Sequence, residues 1–214
     1  MIGRFGAVVA ALLFAPALFA HDGITHLSET EAQKHKERSE TPLPPPSGLP
    51  FPVKFGGPFE LTDHRGNTRT QADPEGRMQL LFFGYASCEA ICSVALPMMA
   101  EATRRLEAAG VDIAPVMVTV DPARDTVEAL GPALAKHHPK FIGLTGSESA
   151  LQGVYDRFSV ARKVVFVDPD LGPVYAHGSH IFLLNGAGEF LTLLPPILTQ
   201  ERVAEIVSAY VTKP

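Results

Sequence analysis

Apolar residues gather in short, partly β-branched runs, and between the runs they recur every three or four positions, a pattern that predicts strands and helices in turn. Five runs read as strands: residues 78–83, 113–120, 164–167, 181–184 and 190–193. After the first, Ile91, Val94 or Ala95, Met98, Ala102 and Leu106 mark a helix that Gly110 closes and Pro97 kinks. Asp125, with Glu128 three residues on, reads as a capping box for a helix reaching about His137 and ended by Pro139. Shorter helices are predicted over residues 147–158 and 200–211. Turn chemistry in Asp168-Pro169-Asp170-Leu171-Gly172 joins residues 164–167 to 173–176 as a hairpin, and Asn185-Gly186-Ala187-Gly188 joins the last two strands. This order of elements calls for a sheet with helices on both faces.

The chain divides by composition. Residues 1–20 read as an export signal: Arg4 leads an apolar stretch from Phe5 to Phe19, and Ala15 and Ala17 satisfy the small-x-small rule for cleavage after Ala17, with Ala20 as a second position. The stretch is short for a bilayer span and contains Pro16, so a cleaved signal is favoured over an N-terminal anchor. Residues 21–52 are polar and end in a proline-rich run, the composition of a semi-rigid linker, and residues 53–214 are long enough for one domain. The formal charge of −5, with no basic run, argues against nucleic acid as a partner. An exported, periplasmic location follows from the signal.

Chemistry concentrates at Cys88 and Cys92, the only two cysteines, which directly follow the apolar run at residues 80–83. A strand feeding a helix whose first turn carries both thiols would set them at the positive end of the helix dipole, where thiolates are favoured. Such a pair does redox chemistry or binds a soft metal. Residues i and i+4 on a helix keep their Cβ atoms roughly 5–6 Å apart, against roughly 3.5–4.5 Å for a relaxed disulfide, so the spacing leans toward metal. An oxidising compartment would turn the pair into a disulfide unless a metal or a reductant prevented it.

A strand, a cysteine-bearing helix, further strand and helix, and a closing hairpin with its helix form the layout of a thioredoxin-like α/β fold, a central mixed sheet flanked by helices with an inserted β-hairpin. In such a sheet, His177 and His180, just before the strand at 181–184, face the cysteine turn. Two thiolates and an imidazole suit copper, and zinc would accept the same set. His21, His26 and His35 in the linker are candidates for collecting copper, against the plainer reading of a solvated tail.

The segments 83–92 (Phe-Gly-Tyr-Ala-Ser-Cys-Glu-Ala-Ile-Cys), 118–126 (Val-Thr-Val-Asp-Pro-Ala-Arg-Asp-Thr), 143–146 and Tyr175-Ala176-His177 resemble those of the Sco/SenC copper chaperones for respiratory oxidase assembly. The likeness runs from about Phe59 to Ala209. It implies one copper ion, Cu(I) or Cu(II), held by Cys88, Cys92 and His177, with His180 as a neighbour and Asp121, Arg124 and Asp125 as framework. The partner it implies is the subunit of cytochrome c oxidase that holds the binuclear copper centre, with the copper donor and thiol reductant unnamed. The same family is credited with thiol–disulfide reductase activity on that subunit, in which Cys88 and Cys92 are the redox pair. Where the family commonly has proline, aspartate and a further proline around the cysteines, this chain has Glu89, Ala90 and Ser93.

Overall fold

A computed structural model describes residues 19–21, 24–26, 54–88, 92–170 and 172–211. The chain separates into two compact units, Met1–Pro52 and Val53–Pro214. In the first unit, β1 (Phe19–His21) and β2 (Ile24–His26) pair antiparallel across the junction of the segments read as signal and linker. Most of both segments, His35 included, lies outside the described residues. Among the described residues no helix is long and apolar enough to cross a membrane.

The second unit is built on a seven-stranded mixed sheet. Its strands are β3 (Glu60–Asp63), β4 (Thr68–Thr70), β5 (Met78–Gly84), β6 (Ile113–Thr119), β7 (Ile142–Thr145), β10 (Ile181–Leu184) and β11 (Phe190–Leu194), in the spatial order β11-β10-β5-β6-β7-β3-β4. β5, β6 and β7 run parallel, and the flanking pairs are antiparallel. A separate hairpin, β8 (Arg162–Asp168) with β9 (Gly172–His177), lies outside that sheet. Among the described residues four helices complete the unit: α1 (Cys92–Ala108), α2 (Val127–Ala135), α3 (Glu148–Phe158) and α4 (Gln200–Val211).

β5 and β6 are buried almost throughout, as their unbroken apolar sequences require of strands covered on both faces. Adjacent residues of β5 show the two layers, because successive side chains point to opposite faces. Phe83 packs on Tyr155 and Phe158 of α3, with ring centroids 6.0 and 5.4 Å away. Gly84 backs onto α1: a Cβ there would stand 3.0 Å from the Cys92 sulfur. α1 is tied to α4 by Arg105 and Glu201, 2.6 Å apart. It ends in a left-handed Gly110 whose N–H reaches Glu107 O, while that of Val111 reaches Leu106 O. This is the thioredoxin-like arrangement expected from the order of elements.

Three expectations change. Cys88 is not itself helical: it closes the turn after β5, where its N–H donates to Tyr85 O at 3.1 Å. α2 is capped by Thr126, whose hydroxyl accepts from Ala129 N–H, rather than by Asp125, because Asp125 is buried and committed elsewhere. Strands β3, β4 and β7 carry no sequence signal strong enough to have been read: they are three or four residues long, and the first two are mostly polar.

Two further features hold the sheet in place. Gly143 lets α2 lie directly on β7; a Cβ there would meet Leu134 Cδ1 at 2.8 Å and Leu130 Cβ at 3.0 Å. In the loop leading to β5, the buried Asp73 accepts from Arg69, from the guanidinium and N–H of Arg77 and from Glu75 N–H. Burial alone would raise the Asp73 carboxyl, but the bonds from Arg77 and Glu75 outweigh it and hold it below 3.8.

Gly143→Ala is expected to cost about 1–3 kcal/mol by overpacking, read from the urea midpoint. For Asp73, a depressed folded pKa means that its contribution is complete above the unfolded value and is lost as pH falls through the lower folded one. Asp73→Asn should therefore lose about 3 kcal/mol at neutral pH, as when a buried pair is broken. It should also flatten the acid side of the stability profile below pH ~4, measured by urea denaturation across pH.

Candidate metal centre

β10 pairs antiparallel with β5, with Ile181 opposite Phe82, so the residues just before β10 necessarily lie beyond the end of β5. That is where the chain turns through Tyr85 and Cys88 into α1. The sulfurs of Cys88 and Cys92 and a ring nitrogen of His177 all lie within 4.8 Å of one another. Among the described residues this is the one group of three or more His, Cys, Asp or Glu side chains placed to hold a metal ion.

Each side chain is fixed by its surroundings. Cys92 opens α1 and is 1% exposed, packed against Gly84. Cys88 is 9% exposed, and His177, at the end of β9, is half-buried. The imidazole is held edge-on to Phe82 and Tyr85, with both ring centroids 5.9 Å away. Its Nδ1 lies 3.0 Å from the carbonyl oxygen of Gly178. A carbonyl only accepts, so Nδ1 carries the proton and the lone pair of Nε2 faces Cys92 Sγ, 3.8 Å away. That is the tautomer a metal needs. The contact with Cys88, and then burial, push the Cys92 thiol well above its ordinary range. Burial, helped by the nearby cysteines, also raises the Tyr85 phenol.

The turn after β6 positions both halves of the site. Asp125, 2% exposed, accepts from Ala86 N–H at 3.1 Å and from the Thr119 hydroxyl at 2.7 Å, which braces the cysteine turn. Burial raises the Asp125 carboxyl, and these two bonds oppose the rise. Thr119 in turn accepts from Asp121 N–H at 2.9 Å. Asp121, 1% exposed, pairs with Arg124 and accepts from the Tyr175 hydroxyl at 3.3 Å. Arg124 donates to Pro173 O at 2.7 Å and lies over the Tyr85 ring, 5.6 Å from its centroid. Arg162 stacks on Tyr175 at 4.8 Å and donates to Val120 O. One short segment thus bonds the cysteine turn through Asp125 and the histidine hairpin through Asp121 and Arg124.

The structure brings Cys88, Cys92 and His177 together and leaves His180 exposed and outside the group. The group that orients His177 is the Gly178 carbonyl. Tyr85 and Thr119 were not singled out from sequence. Both stand in segments shared with the family, Tyr85 as an aromatic at the end of a buried strand and Thr119 as the polar residue of an otherwise apolar run.

The donor set fits a single soft ion. Metal–sulfur and metal–nitrogen bonds of roughly 2.0–2.3 Å reach a common point from three atoms this close with small side-chain shifts.

Comparison with known proteins agrees with this geometry. The SCO1/SenC family model matches residues 48–212. The SCO2-like protein of Rickettsia felis is 41% identical over 141 residues, covering 65% of this chain and 68% of that protein. The mitochondrial SCO2 homologue of Homo sapiens is 35% identical over 153 residues, or 71% of this chain and 58% of that one. Arabidopsis thaliana ScoI, solved with copper bound, superposes with a TM-score of 0.69 at 29% identity over 73% of this chain and 98% of its own. A family match spanning nearly the whole second unit, on a fold that gathers two sulfurs and an imidazole at one point, means that the chain belongs to the SCO1/SenC family.

Proposed function

We propose that this chain is an exported copper carrier that holds one copper ion through Cys88, Cys92 and His177 and hands it to the binuclear copper centre of a cytochrome c oxidase subunit. The observation that carries the reading is the convergence of the three ligand atoms within 4.8 Å. Thiolate sulfur selects Cu(I), and imidazole with sulfur serves Cu(II), so the set tolerates either state of the cargo. The copper bound in the Arabidopsis relative and the likeness to Sco/SenC chaperones support both cargo and recipient. Residues 1–20 support export, with the chain released or held at the membrane by that segment.

Burial sets an order for transfer. Cys92 is 1% exposed and Cys88 9%, with His177 half-buried beside them. A recipient's ligands reach the ion from the Cys88 and His177 side, and Cys92 lets go last. Binding needs both thiols reduced and deprotonated, so the redox state of the pair gates loading.

The position of Cys88 favours a second reading as well. Because the two sulfurs lie within 4.8 Å of each other, a modest movement closes them to a disulfide. As a reductase, the more accessible Cys88 thiolate would attack a target disulfide, forming a mixed disulfide and releasing one target thiol. Cys92 would then attack the Cys88 sulfur, releasing the second thiol. Two electrons pass to the target, and an external dithiol must restore the pair.

Cys88→Ser or Cys92→Ser is expected to abolish tight copper binding, and His177→Ala to weaken Cu(II) more than Cu(I), in titrations against a competing chelator. Copper retained in full by the double cysteine variant after desalting refutes the carrier. A reduction potential near thioredoxin's, about −270 mV, combined with copper affinity no better than micromolar, would instead favour the reductase.

Asp125→Ala frees the cysteine turn and should lower copper affinity about 10–100-fold with both thiols still titratable, while Asp125→Asn, which keeps one acceptor oxygen, recovers part of the loss. Equal affinity in all three proteins would show that the carboxylate does not position the site.

A further inference from the structure

Val94 and Ile197 are large apolar side chains that stand in water, 53 and 89% exposed. They belong to one surface. Val94, Pro97 and Met98 recur on a single face of α1, and Pro196, Ile197 and Leu198 of the loop between β11 and α4 face them across a groove of about 690 Å³. Among the described residues the charges lining the groove are those of Glu101 and Arg104, further along α1 and paired at 2.9 Å, so the end nearest Cys92 carries none. An exposed apolar groove of this kind marks an interaction surface.

Strand register places the groove at the same end of the sheet as the metal centre. Ile181 pairs with Phe82 on one side and with Leu194 on the other, so the loop after Leu194 leaves the sheet beside the cysteine turn and the residues that link His177 to β10. β11 is two strand spacings from β5, or roughly 10 Å. On the helix side the groove starts at Ser93, next to Cys92.

We propose that this groove seats the recipient of the copper, taking up an uncharged, apolar segment that lies beside the recipient's own copper ligands. The inference rests on the carrier reading, and ligand exchange supplies its argument. For an incoming ligand to reach an ion at Cys88 and His177, the two proteins must touch there, and even a transient interface of about 600 Å² per partner extends about 14 Å from its centre. A groove roughly 10 Å away, as the strand spacing sets it, falls inside that footprint. The recipient therefore covers Val94 and Ile197 whenever it reaches the ion, and an apolar segment gains most by doing so. An anionic lipid surface fits poorly, since the apolar end of the groove offers it no cation.

Titration calorimetry of the full chain against the soluble copper-centre domain of a cytochrome c oxidase subunit tests the docking. Val94→Lys and Ile197→Lys should each weaken binding roughly tenfold or more, whereas Val211→Lys, at the far end of α4, should leave it unchanged. All three variants should keep the wild-type circular dichroism, copper affinity and rate of copper loss to a small chelator, because none of them alters a ligand. Wild-type binding in both groove variants, an equal loss in Val211→Lys, or no binding by the wild type overturns the proposal. A groove-dependent dimer, or binding to anionic vesicles, in place of binding to the domain overturns it equally. A chain that docks through the groove yet keeps its copper refutes the carrier and leaves the docking surface standing.

Discussion

The site depends on one buried carboxylate. Asp125 accepts from the backbone of Ala86 and from the Thr119 hydroxyl, and so fixes the turn that carries Cys88 to the end of β6. A charge in that position is costly unless its acceptor sites are filled, and removing a partner leaves the cost uncompensated. The same turn reaches the other way through Asp121 and Arg124, which hold Tyr175 and Pro173 of the hairpin. Two segments 85 residues apart in sequence, Cys92 and His177, are thereby brought into contact by a stretch that contributes no ligand.

This construction leaves the site ordered but its ligands unequally held. The side chains are preset: the imidazole tautomer is chosen by Gly178, the ring is held by Phe82 and Tyr85, and Cys92 is anchored in the core. Little ordering remains to be done when an ion arrives, which favours capture. Exposure nevertheless rises from Cys92 to Cys88 to His177, so the ligands are not equally committed. The most deeply buried ligand belongs to the sheet and helix core, and the other two belong to a turn and a hairpin, elements that move at low cost.

Long apolar runs made the central strands readable, since β5 and β6 are covered on both faces and must be apolar throughout. The hairpin at 162–177 was readable from its turn residues, and α4 from its apolar spacing. The short edge strands were not. Glu60–Asp63 and Thr68–Thr70 are strands because β7 and one another offer backbone partners, a fact about neighbours distant in sequence. Asp125 misled for a related reason. It has the local pattern of a helix cap, but a buried tertiary bond claims its carboxylate, and the cap passes to Thr126.

Sequence by itself determined the chemistry of the site: two soft sulfurs after a buried strand, a histidine before a later strand, and motifs shared with one family. Those are properties of residue type and order, which survive without coordinates. Tertiary structure alone decided that Cys88 closes the turn after β5, that Asp125 braces that turn, and that the Nε2 of His177 faces the sulfurs. The reason is physical. Those outcomes depend on strand register and on buried hydrogen bonds between segments far apart in the chain, and no local pattern encodes a bond whose partner lies dozens of residues away.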